Sequence, residues 1–219
     1  MRALLFDFDG LILDTETPEL DAWTSIFREH GAEMPPGYWG NTIGRGADQI
    51  TETPTQLLER LTGKTLDHLA LRAQYREMKT ERVHREKPLP GILDLLAEAR
   101  EAGIPCAVVS SSPHPWVDGH LERLGMSHWF KTTICAGDVP REKPFPDLYL
   151  EALLQLDVPA AEAIVLEDSV NGARAAVDAG IFVVAVPNPV TESFDFSLAD
   201  ALLPSLRGVT LADLEDLRS

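Results

Sequence analysis

The stretch whose reading decides the fold is ALLFDFDGL, residues 3 to 11. An apolar run breaks into two aspartates, Asp7 and Asp9, with Phe8 between them. A strand buried on both faces has no use for charge unless its end opens on a site. Residues two apart in extended chain project to the same side, so Asp7 and Asp9 are expected to share a neighbourhood. Two carboxylates about 4 Å apart repel by about 4 kcal/mol at an effective dielectric of about 20, so something must offset them.

Runs of the same kind recur along the chain. PCAVVS (105 to 110), AIVLED (163 to 168) and IFVVAV (181 to 186) are continuous rather than alternating, as strands buried on both faces of a parallel sheet are. TTIC (132 to 135) reads as a fifth strand and DALLP (200 to 204) as a weaker sixth. Helical patterns separate them, with stops at Gly103, Gly125 and Gly180. Strand and helix in repeated order predict an α/β fold, a doubly wound, Rossmann-like parallel-sheet core. Residues 15 to 87 break that rhythm with amphipathic helical stretches only, among them ETPELDAWTSIFREHG and TLDHLALRAQYREMKTERVHRE. The expected organisation is therefore a core of residues 1 to 14 and 88 to 219, with a small all-helical cap domain, 15 to 87, inserted after the first strand.

With 219 residues, 25% charged and 44% hydrophobic, the chain has the composition of a soluble globular protein. Its net charge of −16, with no basic run to offset it, argues against nucleic acid or an anionic membrane as partner. No apolar run approaches the roughly 20 residues of a membrane span, and acid interrupts the first apolar stretch too early for a signal peptide. A cytoplasmic protein, monomeric for want of any interface pattern, is expected. Cys106 and Cys135 lie in strand-like segments without metal or disulfide spacing and read as buried small hydrophobes. No histidine has ligand spacing.

In an open parallel sheet, ligands bind beyond the carboxyl ends of the strands. Polar residues collect there in four separate segments: Asp7 and Asp9; Ser110, Ser111 and Ser112; Lys143 in the REKP loop at 141 to 144; and Glu167 and Asp168. Singly, each is a capping or turn residue as readily as a ligand. All four on one edge make a site. So many acids call for a divalent cation, and oxygen donors with room for water suit Mg²⁺. Mg²⁺ with a lysine is also what a phosphoryl group needs to neutralise its oxygens. The three serines, followed by Pro113 and Pro115, are expected to present hydroxyls and free backbone N–H groups at a helix N-terminus, an anion cradle.

In order and spacing, DFDGL (7 to 11), VVSSS (108 to 112), EKP (142 to 144) and LEDS (166 to 169) resemble the four motifs of the haloacid dehalogenase superfamily of phosphohydrolases. The helical insert resembles the branch of β-phosphoglucomutase and phosphoglycolate phosphatase, which has an α-helical cap. The resemblance implies Asp7 as the nucleophile that becomes an aspartyl phosphate and Asp9 as general acid and then base. It implies that Ser110 and Lys143 hold phosphoryl oxygens, that Lys143 keeps Asp7 ionised, and that Mg²⁺ is bound by Asp7, the Asp9 carbonyl and Asp168, with Glu167 either a ligand too or one step behind the ligands. It also implies a cis Lys143–Pro144 peptide.

Asp9 speaks against a dehalogenase, which needs no leaving-group proton. The lack of a lysine before Lys64 in the first half of the cap speaks against a Schiff-base phosphonatase. Mutases of this branch carry a histidine where Glu19 stands, and a lysine and an arginine near the places of Ile43 and Ala47 in NTIGRGADQ. The expectation is thus a Mg²⁺-dependent phosphatase acting on a small phosphorylated metabolite, such as a sugar or polyol phosphate. A β-phosphoglucomutase-like mutase is the alternative, and a non-catalytic phospho-ligand-binding module a third. Ser111, Ser112, Glu19, Asn41 and Arg45 are the candidate substrate-binding residues. Trp23 and Trp39 read as packing residues of the cap.

Overall fold

The computed structural model describes residues 1–39 and 52–218. Among the described residues six strands form one sheet: β1 Ala3–Phe6, β2 Cys106–Pro113, β3 Thr132–Ala136, β4 Ala163–Glu167, β5 Phe182–Ala185 and β6 Ala201–Leu202. Every neighbouring pair is parallel, and the spatial order is β3-β2-β1-β4-β5-β6. After β1 the chain fills one side of the sheet and then crosses to fill the other, so β1 and β4 meet at the topological switch point. The doubly wound α/β core expected from the sequence is present.

Eight helices accompany the sheet among the described residues: α1 Glu16–Glu29, α2 Pro54–Thr62, α3 His68–Val83, α4 Ile92–Glu101, α5 His114–Arg123, α6 Asp147–Leu156, α7 Val170–Asp178 and α8 Leu211–Arg218. The sequence reading had no helix at α6 or α8. Leu148, Tyr149, Ala152 and Leu153 of α6 pack with Leu5, Val109 and Val165 of the sheet in the buried apolar core. Burying a side chain of that size contributes about 1.5–3 kcal/mol. Cys106 and Cys135 are both buried and unpaired, and burial pushes their thiols up to about 12.

The chain divides into two compact units, one of Met1–Leu13 with Lys87–Ser219 and one of Asp14–Glu86. The first contains the sheet. In the second, α1 and α3 pack together, Trp23 stacks on Tyr75 at 4.8 Å, and both Trp23 and Trp39 are buried. Helix α2 starts with a complete capping box, Thr53 and Gln56 satisfying each other's backbone donors, and α3 starts under the Asp67 carboxylate.

Two outcomes follow from the packing. Leu5 is fully buried and Leu154 is 74% exposed. Leu5→Ala should cost about 2–5 kcal/mol in urea unfolding, whereas Leu154→Ala should stay within about 0.5 kcal/mol of the parent. At the start of α5, His114 bonds Asp118 through Nδ1 and Asp138 through Nε2, each at 2.9 Å. Burial works against its charge, but the two aspartates outweigh it and raise the imidazole above its ordinary 6.5. The resulting stabilisation is complete below the unfolded value of 6.5 and lost as pH rises through the folded one. His114→Gln should lower the melting temperature near about pH 6 and change it little near about pH 9.

Candidate active site

The β1 ladder runs one bond past Phe6, the Asp7 N–H donating to the Leu166 carbonyl at 3.0 Å. The chain then turns tightly, with the N–H groups of Ile12 and Leu13 both donating to the Phe8 carbonyl. Phe8 is fully buried, which leaves Asp7 and Asp9 as the polar residues on either side of an apolar anchor. The Lys143 ammonium donates to Asp7 Oδ1 at 2.5 Å, Glu167 Oε1 at 2.6 Å and the Val109 carbonyl at 2.8 Å. All three of its protons are used, and its loop enters through a cis Lys143–Pro144 peptide.

Glu167 ends β4 and Asp168 follows it. Glu167 is fully buried, and its two oxygens accept from Lys143, the Tyr149 hydroxyl at 2.7 Å, and the Ser169 N–H and hydroxyl at 3.2 and 3.1 Å. The Asn188 amide donates to Asp168 Oδ2 at 2.7 Å. Two glycines leave room for these carboxylates. A Cβ at Gly10, where φ is +81°, would stand 2.1 Å from Asp168 Oδ2, and one at Gly172 would stand 1.8 Å from Glu167 Oε1.

Asp7, Glu167 and Asp168 each offer an oxygen within 4.8 Å of the others, and all three are buried. Three carboxylates against one ammonium leave two formal negative charges, which burial makes costly. Burial accordingly raises the Asp7 carboxyl, and the Lys143 ammonium offsets only part of that rise. Burial also disfavours charge on Lys143, but Asp7 and Glu167 more than compensate and hold it above its ordinary range. A divalent cation with oxygen ligands fits this donor set and its charge deficit.

The Asp9 carboxylate lies outside the three-carboxylate group and is held at the end of β2. Ser112 Oγ donates to Asp9 Oδ2 at 2.6 Å, Trp116 Nε1 to Asp9 Oδ1 at 2.8 Å, and Ser110 Oγ approaches Oδ2 at 3.4 Å. The anion cradle needs correction. β2 continues through Pro113 rather than closing at Ser110, and the Ser112 N–H donates to Ser110 Oγ at 2.9 Å instead of facing outward. The reason is local: with two serine hydroxyls and a carboxylate within reach, the turn satisfies its own donors. Ser111 is exposed at the end of the strand.

Glu19 lies in the helical unit, where it forms an ion pair with Lys79 of α3. Asn41 and Arg45, with Ile43 and Ala47, lie outside the described residues. Trp116, Tyr149, Ser169 and Asn188 take part in the site without having been singled out in the sequence. Of these only Ser169, inside LEDS, carried a motif signal.

The model of the haloacid dehalogenase-like hydrolases matches residues 4–186. The chain is 43% identical to YhcW of Bacillus subtilis (strain 168) over 216 residues, which covers 99% of this chain and 97% of that one. It is 30% identical to validoxylamine A 7'-phosphate phosphatase of Streptomyces hygroscopicus subsp. limoneus, with 95% of each covered. The solved structure of CbbY from Rhodobacter sphaeroides in complex with phosphate is 31% identical, covers 98% of this chain and 99% of that one, and superposes with a TM-score of 0.73. A family match that takes in all four strand-end segments, with relatives aligned nearly end to end, means that the chain belongs to the haloacid dehalogenase-like hydrolases.

Proposed function

We propose that this protein is a Mg²⁺-dependent phosphatase that hydrolyses a small phosphorylated metabolite through an aspartyl phosphate on Asp7. The observation that carries the reading is the Asp7 carboxylate, bonded to a buried lysine and grouped with two further buried acids. Such a cluster is costly to fold around and has a use when it meets an anion and a cation together. The phosphatase named among the relatives and the phosphate complex of CbbY support the same class of substrate.

Asp7 attacks phosphorus, forming its O–P bond as the bond to the leaving oxygen breaks, and that oxygen takes the Asp9 proton. Asp9, now a carboxylate, removes a proton from the water that splits the aspartyl phosphate, which regenerates both aspartates and releases phosphate. We assign the phosphoryl oxygens to Ser110 and to Lys143, whose ammonium would exchange one of its three present acceptors for a phosphoryl oxygen. Asp7, Asp168 and the Asp9 carbonyl would hold Mg²⁺, whose charge neutralises phosphoryl oxygens and keeps Asp7 ionised. Glu167 is occupied by Lys143, Tyr149 and Ser169, so its part is to brace the cluster and contribute charge. We assign choice of leaving group to the helical unit, to which Glu19, Asn41 and Arg45 belong.

Hydrolysis is favoured over isomerisation by Glu19. Its carboxylate is paired with Lys79, so the position does not offer the positive charge that a protonated histidine would.

Purified protein should release phosphate from members of a phosphomonoester panel with Mg²⁺ and not after chelation. Asp7→Asn should lower kcat by at least about 10³-fold, and turnover without metal or with that variant would remove the mechanism. A mutase would instead show isomer by ³¹P NMR without net phosphate release. Mg²⁺ should also raise the melting temperature, because it binds the folded cluster and not the unfolded chain. Asp168→Asn should abolish most of that rise.

A further inference from the structure

Asp9 must point at a leaving oxygen to do its work, yet in this structure both of its oxygens are bonded to β2 and α5. Trp116 Nε1 donates to Oδ1 at 2.8 Å and Ser112 Oγ to Oδ2 at 2.6 Å, so one donor on each oxygen fixes the plane of the carboxylate. Ordinary N–H···O and O–H···O bonds have these lengths. The indole is itself oriented. Its ring stands edge-on to His120 at 4.4 Å and 77°, His120 is buried, and His120 stacks on Phe8 at 6.3 Å. The Arg123 side chain donates to His120 Nδ1 at 3.2 Å and fixes that ring from its far side. A continuous chain of contacts thus runs from α5 through two rings to Phe8, the residue between the two aspartates.

We infer that Trp116 and Ser112 are positioning residues that set the orientation of the Asp9 carboxyl group relative to the leaving oxygen. The inference rests on the phosphatase reading, in which Asp9 protonates that oxygen. Without the indole N–H, only hydroxyls on Oδ2 hold the carboxyl group against turning about its Cβ–Cγ bond, and a misdirected acid is a weak one. The loss then depends on how much the leaving group needs a proton. A nitrophenolate departs readily as an anion, whereas a benzyl alkoxide must be protonated as it leaves. A packing role would lower both reactions by one factor.

The test compares kcat/KM for benzyl phosphate and 4-nitrophenyl phosphate, two esters of similar shape, in the wild type, Trp116→Phe and Ser112→Ala. Phenylalanine keeps a ring against His120 and removes the donor. Each variant should lower the benzyl to nitrophenyl ratio by about tenfold, part of the 10²–10⁴-fold that general acid catalysis contributes. Active wild type with a ratio that neither variant moves overturns this inference alone. Wild type inert toward both esters and the whole panel overturns the phosphatase reading and this inference with it.

Discussion

The arrangement depends on one buried ammonium group. Lys143 is within hydrogen-bond distance of the Asp7 and Glu167 carboxylates and the Val109 carbonyl, so it joins the ends of β1 and β4 to the middle of β2 through three bonds. Removing one partner from such a buried set leaves an uncompensated charge and costs about 3–5 kcal/mol. The surrounding residues reflect that constraint. Tyr149 donates to Glu167 and lies with its ring 5.0 Å from the ammonium, Ser169 donates to the other Glu167 oxygen, and Gly172 leaves the space that this carboxylate fills.

Around that centre the two aspartates of FDFDG occupy different surroundings. Asp7 stands among acids and a lysine, in a buried place whose oxygens could hold a divalent cation. Asp9 stands among hydroxyls and an indole N–H, which hold it by direction rather than by charge. Two positions in the chain therefore separate a carboxylate held by charge from one held by direction, and buried Phe8 stands between them. Equal proximity to Lys143 would have left both carboxyl groups competing for the same ammonium.

Much of this was legible because parallel strands are buried on both faces and their ends are not. An apolar run that breaks into charge marks such an end without knowledge of the partner strand, which is how Asp7, Ser110 and Glu167 could be placed on one edge. The error over the serine turn has the same origin: local pattern identified the hydroxyls but not the carboxylate that would occupy them. The omission of α6 mattered more, since that helix carries Tyr149 against Glu167.

By itself, then, the sequence determined the strands, the helices other than α6 and α8, and the residue types at each strand end, since all of these follow from short-range periodicity and chain punctuation. Tertiary structure alone decided which groups bond to which. Trp116 reaches Asp9 across 107 positions, Asn188 reaches Asp168 from the segment after β5, and Lys143 reaches Asp7 across 136 positions. Those distances depend on how the crossovers stack on the sheet, and no local pattern encodes them.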